Sequence, residues 1–168
     1  MADYKQLVPF ILKWEGGFVD DPLDKGGATN KGVTIATFRQ FYGADATVEQ
    51  LKNITDKQWN HIFKSGYWNK WLADEIRSQS VANILVDWLW LSGSPAIKNP
   101  QRLLGVVPDG VVGPKTIAAV NAAEPKKLFG DIKAARVQYI NDIIVKTPTN
   151  ERFRRGWMNR LDAIRFES

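Results

Sequence analysis

The sequence predicts a mainly α-helical protein with a small β-hairpin or loop element. Three observations support this prediction: apolar residues recur at helical spacing along most of the chain, capping residues precede many of these stretches, and alternating strand patterns are scarce. With 168 residues the chain can bury its own hydrophobic core, as one domain or as one domain with a small appendage.

The predicted helices of the first half have marked ends. Pro9 lies inside the first one and predicts a late start or a kink. Residues 80–91 are apolar almost all round, which predicts a buried central helix whose Asp87 needs a polar partner. The predicted helix starts are capped by Asp3, Thr34, Thr47 and Thr55, and the predicted ends are Gly16-Gly17, Gly43 and Gly66.

The run from Ser92 to Pro95 ends the central helix and is the candidate domain boundary. It divides the chain into residues 1–93, which hold the candidate chemistry, and residues 94–168, a helical part packed with them as one unit. Helices in the second part begin at Pro114 and Pro125, because proline is tolerated at the first helical position, and a last helix covers about 150–166.

Residues 18–33 break the helical pattern with acids, prolines and glycines. A small hairpin is predicted around Phe18-Val19 and Gly32–Thr34. Because loops of this length in compact domains usually carry function, this segment is predicted to contribute to a functional site.

The composition limits the chemistry. The chain has no cysteine and one histidine, which excludes disulfides, thiolate metal sites, a cysteine nucleophile and zinc motifs with two histidines. The chemistry must therefore come from carboxylates, hydroxyls, basic groups or the backbone, and no cofactor is expected. Calcium at Asp20, Asp21 and Asp24 is not expected either, because their spacing does not match the twelve-residue calcium loop.

The net charge of +5 comes from the C-terminal third and indicates either a polyanionic partner or charge that keeps the surface solvated. Five arginines of the last predicted helix contribute, but nucleic acid is not expected, because no zinc finger, helix-turn-helix spacing or RNA motif is found. No apolar run is long enough to span a membrane, so stable membrane insertion is not expected either.

Two carboxyl groups near the long loop differ in their predicted surroundings. Glu15 ends a helix beside aromatic residues, where the helix dipole and desolvation favour the protonated acid. Asp24 lies on a glycine-flanked loop where an ionised carboxylate is expected, although Asp20 and Asp21 on the same loop remain alternatives. A protonated and a charged carboxyl are what glycoside hydrolysis uses, and the hydroxyl of Thr29 could hold the attacking water.

The stretch EGGFVDDPLDKGGATNKGVT resembles the signature of glycoside hydrolase family 108, the N-acetylmuramidases of bacteria and phages, whose members include endolysins and secretion activators. Its Glu-x8-Asp-x4-Thr spacing is similar to the catalytic triad of phage-type lysozymes, where the last gap is one residue longer. The stretch QRLLGVVPDGVVGPKTIAAV resembles the C-terminal peptidoglycan domain that accompanies the family. The resemblance covers nearly the whole chain.

The resemblance implies a lysozyme-like fold and hydrolysis of the β-1,4 bond between N-acetylmuramic acid and N-acetylglucosamine. Glu15 would be the catalytic acid, with Asp24 and Thr29 assisting. Gly27 lets a polymer approach the backbone, and the indole rings of Trp68 and Trp71 could stack on sugars, although core packing is the default for tryptophan.

The competing hypothesis is a non-catalytic peptidoglycan-binding protein of the same fold. Leu91 stands where the family pattern leads us to expect an asparagine, and that departure favours it; the presence of Glu15 does not. We expect a monomer that acts on glycan strands of the cell wall. Its N-terminus lacks the features of a signal peptide, so we expect synthesis in the cytoplasm and export through a holin-type pore or another non-classical route.

Overall fold

A computed structural model describes residues 1–23 and 26–168 of the chain. The prediction of a mainly α-helical, lysozyme-like fold with one small β element is confirmed. The chain divides into two compact units: one is Tyr4–Gly66, and the other joins Met1–Asp3 to Tyr67–Ser168. No helix in the described ranges is both long and apolar enough to cross a membrane.

The unit Tyr4–Gly66 combines short helices with a two-stranded antiparallel hairpin in which Thr29 lies opposite Thr34 and Asn30 opposite Val33. A two-residue turn joins the strands, with positive φ angles of 52° at Lys31 and 81° at Gly32, as in the type I′ turn that suits the twist of a hairpin. Its elements are α1 (Val8–Trp14), β1 (Thr29–Asn30), β2 (Val33–Thr34), α2 (Ile35–Tyr42), α3 (Val48–Lys52) and α4 (Asp56–Phe63).

The predicted caps at three threonines are confirmed. The hydroxyl of Thr34 accepts a hydrogen bond from the Thr37 N–H, and Thr47 and Thr55 each form a complete capping box with the glutamine three residues on. These caps are local in sequence, which is why the sequence predicts them.

The first helix differs from the prediction at both ends. A short 3-10 turn precedes it, and α1 begins at Val8 with Leu7 as its N-cap, so the late start is confirmed but the cap at Asp3 is wrong. The helix ends because Glu15 is extended, with φ −89° and ψ 143°. Gly16 and Gly17 do not adopt the left-handed conformation that was expected to close it.

The second unit is built around α5, whose residues are buried almost all round, as predicted. Pro114 and Pro125 begin helices at the predicted positions, and the predicted last helix is a 3-10 segment (Pro148–Phe153) followed by a shorter α-helix. Its helices are α5 (Gln79–Ser92), α6 (Pro95–Leu104), α7 (Pro114–Ala122), α8 (Pro125–Lys146) and α9 (Arg154–Ala163).

Asp87 of α5 is fully buried and lies between two arginines. Its Oδ2 accepts a hydrogen bond from Arg136 of α8 at 2.9 Å, and its Oδ1 accepts one from Arg160 of α9 at 2.8 Å. The expectation that Asp87 finds a polar partner is confirmed. This Arg-Asp-Arg cluster ties three helices of the unit together.

The predicted boundary after Gly93 stays a prediction. Gly93 lies between α5 and α6, which pack against each other within the second compact unit.

Candidate functional site

Glu15 lies at the point where α1 becomes extended chain. Its backbone N–H closes the helix by donating to Ile11 O at 3.0 Å, and its side chain is half-buried. The helix therefore fixes the position of the Glu15 backbone, and the extended conformation of Glu15 directs the following residues towards the hairpin.

Two backbone contacts join the segment after Glu15 to the hairpin. The N–H of Lys31 donates to Gly16 O at 3.1 Å, and Val19 forms an antiparallel bridge with Thr29 in which both N–H···O distances are 2.8 Å. The predicted hairpin is thus partly confirmed, because Val19 pairs with β1 while Val33–Thr34 forms the second strand. The structure thus pairs the segment that follows Glu15 with the hairpin that carries Thr29.

Thr29 and Asn30 present their side chains to opposite faces of β1, because successive residues of a strand alternate. The Asn30 amide is 5% exposed and donates to Leu51 O at 3.1 Å and to Lys52 O at 3.0 Å, carbonyls at the end of α3. Thr29 is half-buried, and its hydroxyl bonds no residue that the structure describes. Its hydroxyl is therefore available to a water or a substrate.

The turn of the hairpin has an anchor of its own. The indole N–H of Trp59 donates to Lys31 O at 2.9 Å, and its ring stacks on Phe63 with centroids 5.3 Å apart. Trp59 is 2% exposed, so this hydrogen bond lies in a dry environment. With Asn30, it holds the hairpin against α3 and α4.

The second carboxylate is not assigned by the structure. Asp24 lies outside the described residues. Asp21 is exposed, and its Oδ1 accepts a hydrogen bond from the Leu23 N–H at 2.9 Å, which gives it a local role in a turn. Asp20 is also exposed and forms no hydrogen bond or ion pair within the described part of the chain.

The glycines of the loop fall into two kinds. Gly27 has a φ of 71°, and a Cβ there would lie 3.5 Å from Ile35 Cγ2, so its backbone conformation alone favours glycine. A Cβ on Gly16 or Gly17 would meet nothing within 4 Å, and neither residue has a positive φ. Neither the backbone conformation nor the packing at these two positions requires glycine, and the space beside them is open.

Trp68 and Trp71 do not fit the expectation that they stack on sugars. Both side chains are fully buried, and the Trp68 indole N–H donates to Asp74 Oδ1 at 2.8 Å. A buried ring has no face open to a substrate, so core packing accounts for both residues. Their sequence pattern could not separate these roles, because tryptophan suits both.

The arginines of the last helix are not one solvated face. Arg160 is 6% exposed and bonded to Asp87, and Arg154 pairs with Glu151 at 2.9 Å. Leu91 is 42% exposed, so the departure from the expected asparagine lies at the surface of the second unit.

The arrangement supplies a carboxyl group at a helix end, and a hydroxyl, bonded to no described residue, on the strand that pairs with the segment after it. The glycines that directly follow the carboxyl residue leave open space. These groups suit acid-assisted hydrolysis of a polymer. Asn30 and Trp59, which hold the hairpin in place, were not identified from sequence, because each acts on a backbone carbonyl more than 20 residues away. No group of three or more potential metal-ligating side chains occurs within residues 1–23 and 26–168.

Two family models and a solved structure match the chain. Residues 8–93 match the family model "Glycosyl hydrolase 108", and residues 95–162 match the "Predicted Peptidoglycan domain". The solved structure of SagA from Brucella abortus is similar, with a TM-score of 0.83 and 31% sequence identity over 96% of this chain and 90% of that one. No curated protein sequence matches the chain.

Both models concern glycan or peptidoglycan, so the function of the chain relates to peptidoglycan. The first match covers the helix end, the loop and the hairpin described above, and it spans more than half of the residues. The chain belongs to the glycosyl hydrolase 108 family.

Proposed function

We propose that this protein hydrolyses the β-1,4 bond between N-acetylmuramic acid and N-acetylglucosamine in peptidoglycan. The observation that supports this best is the pairing of the segment after Glu15 with the hairpin that carries Thr29. It combines an acid at a helix end with a hydroxyl that forms no hydrogen bond to a described residue.

In the proposed reaction the protonated carboxyl of Glu15 donates its proton to the glycosidic oxygen as the bond to the anomeric carbon breaks. The Thr29 hydroxyl orients the water that attacks this carbon. A carboxylate on the loop stabilises the positive charge that develops on the sugar ring or takes a proton from the water, and Asp24 is the residue we assign to it. The residues require no cofactor for these steps.

The open space at Gly16 and Gly17 supports a polymeric substrate. Glycines without a conformational or packing requirement are expected where a ligand approaches the backbone closely. A glycan strand could therefore run beside the end of α1 and contact Gly27 on the neighbouring part of the loop.

The experiment is digestion of purified peptidoglycan by the wild-type protein and by Glu15→Gln, with release of soluble fragments as the readout. We expect new reducing ends on muramic acid, and a loss of about 10²–10⁴-fold in rate for the variant. Glu49→Gln is the matched control, since Glu49 is an exposed glutamate of the same unit, and it should retain the wild-type rate.

The second carboxylate is assigned by comparing Asp24→Asn with Asp20→Asn and Asp21→Asn. We expect Asp24→Asn alone to reduce the rate as Glu15→Gln does. Inversion at the anomeric carbon would indicate carboxyl groups about 6.5–9.5 Å apart, and retention a separation of about 5–5.5 Å.

A non-catalytic peptidoglycan-binding role is the second candidate, favoured by Leu91 in place of an asparagine. If the wild-type protein binds the purified wall but releases no fragments, this role replaces the hydrolase. We further propose that the protein reaches the wall through a holin-type pore or another non-classical route; fractionation of expressing cells with and without a holin tests this.

A further inference from the structure

A cavity of about 240 Å³ lies within the second compact unit, between the end of α5, the middle of α8 and α9. Its walls include three aromatic rings and aliphatic side chains, and it reaches the surface at Leu91, which is 42% exposed. The aromatic residues are Trp88, Tyr139 and Trp157. Its volume is just below the range for drug-sized ligands, so it suits a small molecule.

Arg136 is the charged residue of this cavity. It is 4% exposed, and its guanidinium lies 5.9 Å from the centre of the Trp88 ring. A guanidinium has five N–H donors. One Arg136 nitrogen donates to Ile84 O at 3.2 Å and another to Asp87 Oδ2 at 2.9 Å, and the other N–H groups bond no residue in the described part of the chain.

The carboxylate that faces Arg136 is shared. Asp87 gives Oδ2 to Arg136 and Oδ1 to Arg160, so Arg136 does not receive the two-oxygen contact that a carboxylate offers a single arginine. Burial lowers the pKa of Arg136 in spite of the opposing effect of Asp87, which indicates incomplete compensation of its charge. None of the residues that line the cavity is acidic.

We propose that this cavity binds a small monocarboxylate with a short apolar group, in which Arg136 holds the carboxylate and the aromatic walls enclose the apolar part. A carboxylate matches the planar donors of a guanidinium, whereas a cation or a neutral hydrocarbon would leave those donors unpaired. Both an acylated amino acid and the C-terminus of a peptide have this chemistry. The proposal does not depend on glycan hydrolysis.

Calorimetric titration of the full-length protein tests it, with N-acetylalanine and N-acetylalanyl-alanine as probes. We expect both to bind, and we expect N-acetylalaninamide, which lacks the charge, to bind about tenfold more weakly or worse. Tighter binding of the dipeptide would identify a peptide C-terminus as the ligand, and tighter binding of the single residue an amino-acid derivative. Equal binding of the neutral amide would overturn the proposal.

Variants at the exposed rim keep the fold intact and locate the binding. Leu91→Glu places a negative charge at the mouth of the cavity, and we expect it to weaken carboxylate binding several-fold, with the loss reduced by salt. Leu91→Gln has nearly the same shape without the charge and should bind like the wild type. If both variants bind equally, the carboxylate does not enter this cavity.

A second pair of variants fills the cavity instead of changing its charge. Ile143 lines it, whereas Val145 on the same helix is 81% exposed and does not. Ile143→Phe should abolish measurable binding, and Val145→Phe should leave it unchanged. Binding that survives Ile143→Phe would also contradict the proposal.

Discussion

The two compact units differ in the polar contacts that stabilise each of them internally. In the unit Tyr4–Gly66 the hairpin is anchored by neutral groups, the Asn30 amide and the Trp59 indole, that donate to backbone carbonyls. In the second unit three helices meet at the buried charges of Asp87 and two arginines. The hairpin that carries Thr29 is therefore anchored by individually modest hydrogen bonds of neutral side chains, beside an exposed ion pair of Lys31 with Asp56 at 4.0 Å.

The difference has a physical consequence. A neutral hydrogen bond contributes about 0.5–1.5 kcal/mol, so loss of one loosens the hairpin without unfolding the unit. Loss of one member of a buried charge cluster leaves the others without their partner, which costs several times more. Loss of a polar contact in the first unit should therefore lower activity more than stability. Loss of a buried charge in the second unit should mainly lower the free energy of unfolding.

Asp87→Ala is expected to have the largest effect on stability. It removes the carboxylate that both Arg136 and Arg160 bond, and breaking a buried pair in this way costs about 3–5 kcal/mol. Chemical denaturation followed by circular dichroism measures it. Asp162→Ala, at an exposed position of α9, should change stability by less than about 0.5 kcal/mol. Equal losses in the two variants would show that the cluster adds nothing.

Asn30→Ala should have the next largest effect and should lower both the free energy of unfolding and the rate of peptidoglycan hydrolysis. It leaves the carbonyls of Leu51 and Lys52 without this buried donor, at a cost of about 1–3 kcal/mol, and it frees β1 from α3. We expect peptidoglycan hydrolysis to fall because Thr29 shares that strand.

Asn53→Ala is the matched control for Asn30→Ala. Asn53 also donates to a carbonyl of α3, Glu49 O at 3.0 Å, but it is exposed, so both stability and activity should stay near the wild-type values. A fall in stability at Asn30 with unchanged activity would remove the hairpin from the proposed mechanism.

Trp59→Phe tests the turn anchor alone. An aromatic ring that can stack on Phe63 is kept, but it is smaller than the indole, and the N–H that bonds Lys31 O is lost, so we expect destabilisation by at least about 1 kcal/mol. Thermal unfolding measures the loss. Trp59→Ala, which removes the ring as well, should be destabilised more, and equal losses in the two variants would mean that stacking on Phe63 contributes nothing.

Gly17→Ala should separate stability from activity most clearly. A Cβ at Gly17 meets nothing within 4 Å and φ is not positive, so the variant should be as stable as the wild type or more stable by about 0.4–1 kcal/mol. If the open space admits a glycan, hydrolysis should nevertheless slow. Unchanged hydrolysis would place the substrate elsewhere.

The smallest expected effect concerns the loop before α7. Asp109 Oδ1 accepts from the Val111 N–H at 2.9 Å and from Gln101 Nε2 at 3.2 Å, and these bonds lower the pKa of Asp109. Because the folded-state pKa is the lower one, its contribution is present above the ordinary pKa of about 3.9 and is lost as pH falls below it. Asp109→Asn should therefore flatten the fall in stability below about pH 4.

Much of the first unit could be predicted from sequence because its signals are local. Thr47 and Thr55 cap helices through residues three positions away, and glycine in the turn at Gly32 suits a positive φ. Glu15 lies at a helix end, as predicted, but Gly16 and Gly17 do not close that helix with a left-handed conformation. These features need no knowledge of the rest of the chain.

Features that depend on distant residues could not be predicted. The sequence shows that Asp87 needs a partner, but the partners are 49 and 73 residues away and are two of many arginines. Burial of Trp68 is decided in the same way by surroundings that the local pattern does not show. The second catalytic carboxylate stays a prediction for a different reason, since Asp24 lies outside the described residues.

The buried cluster also sets an order for folding during synthesis. The unit Tyr4–Gly66 is contiguous in sequence and can form once it has left the ribosome, because its helix caps and hairpin anchors lie within it. Asp87 must wait for Arg160, 73 residues later, which at about 5–20 residues per second takes roughly 4–15 s. Until then Asp87 can have Arg136, 49 residues later, as a partner but not Arg160, so its charge on the apolar surface of α5 is incompletely compensated. This nascent chain is the form that a chaperone would recognise.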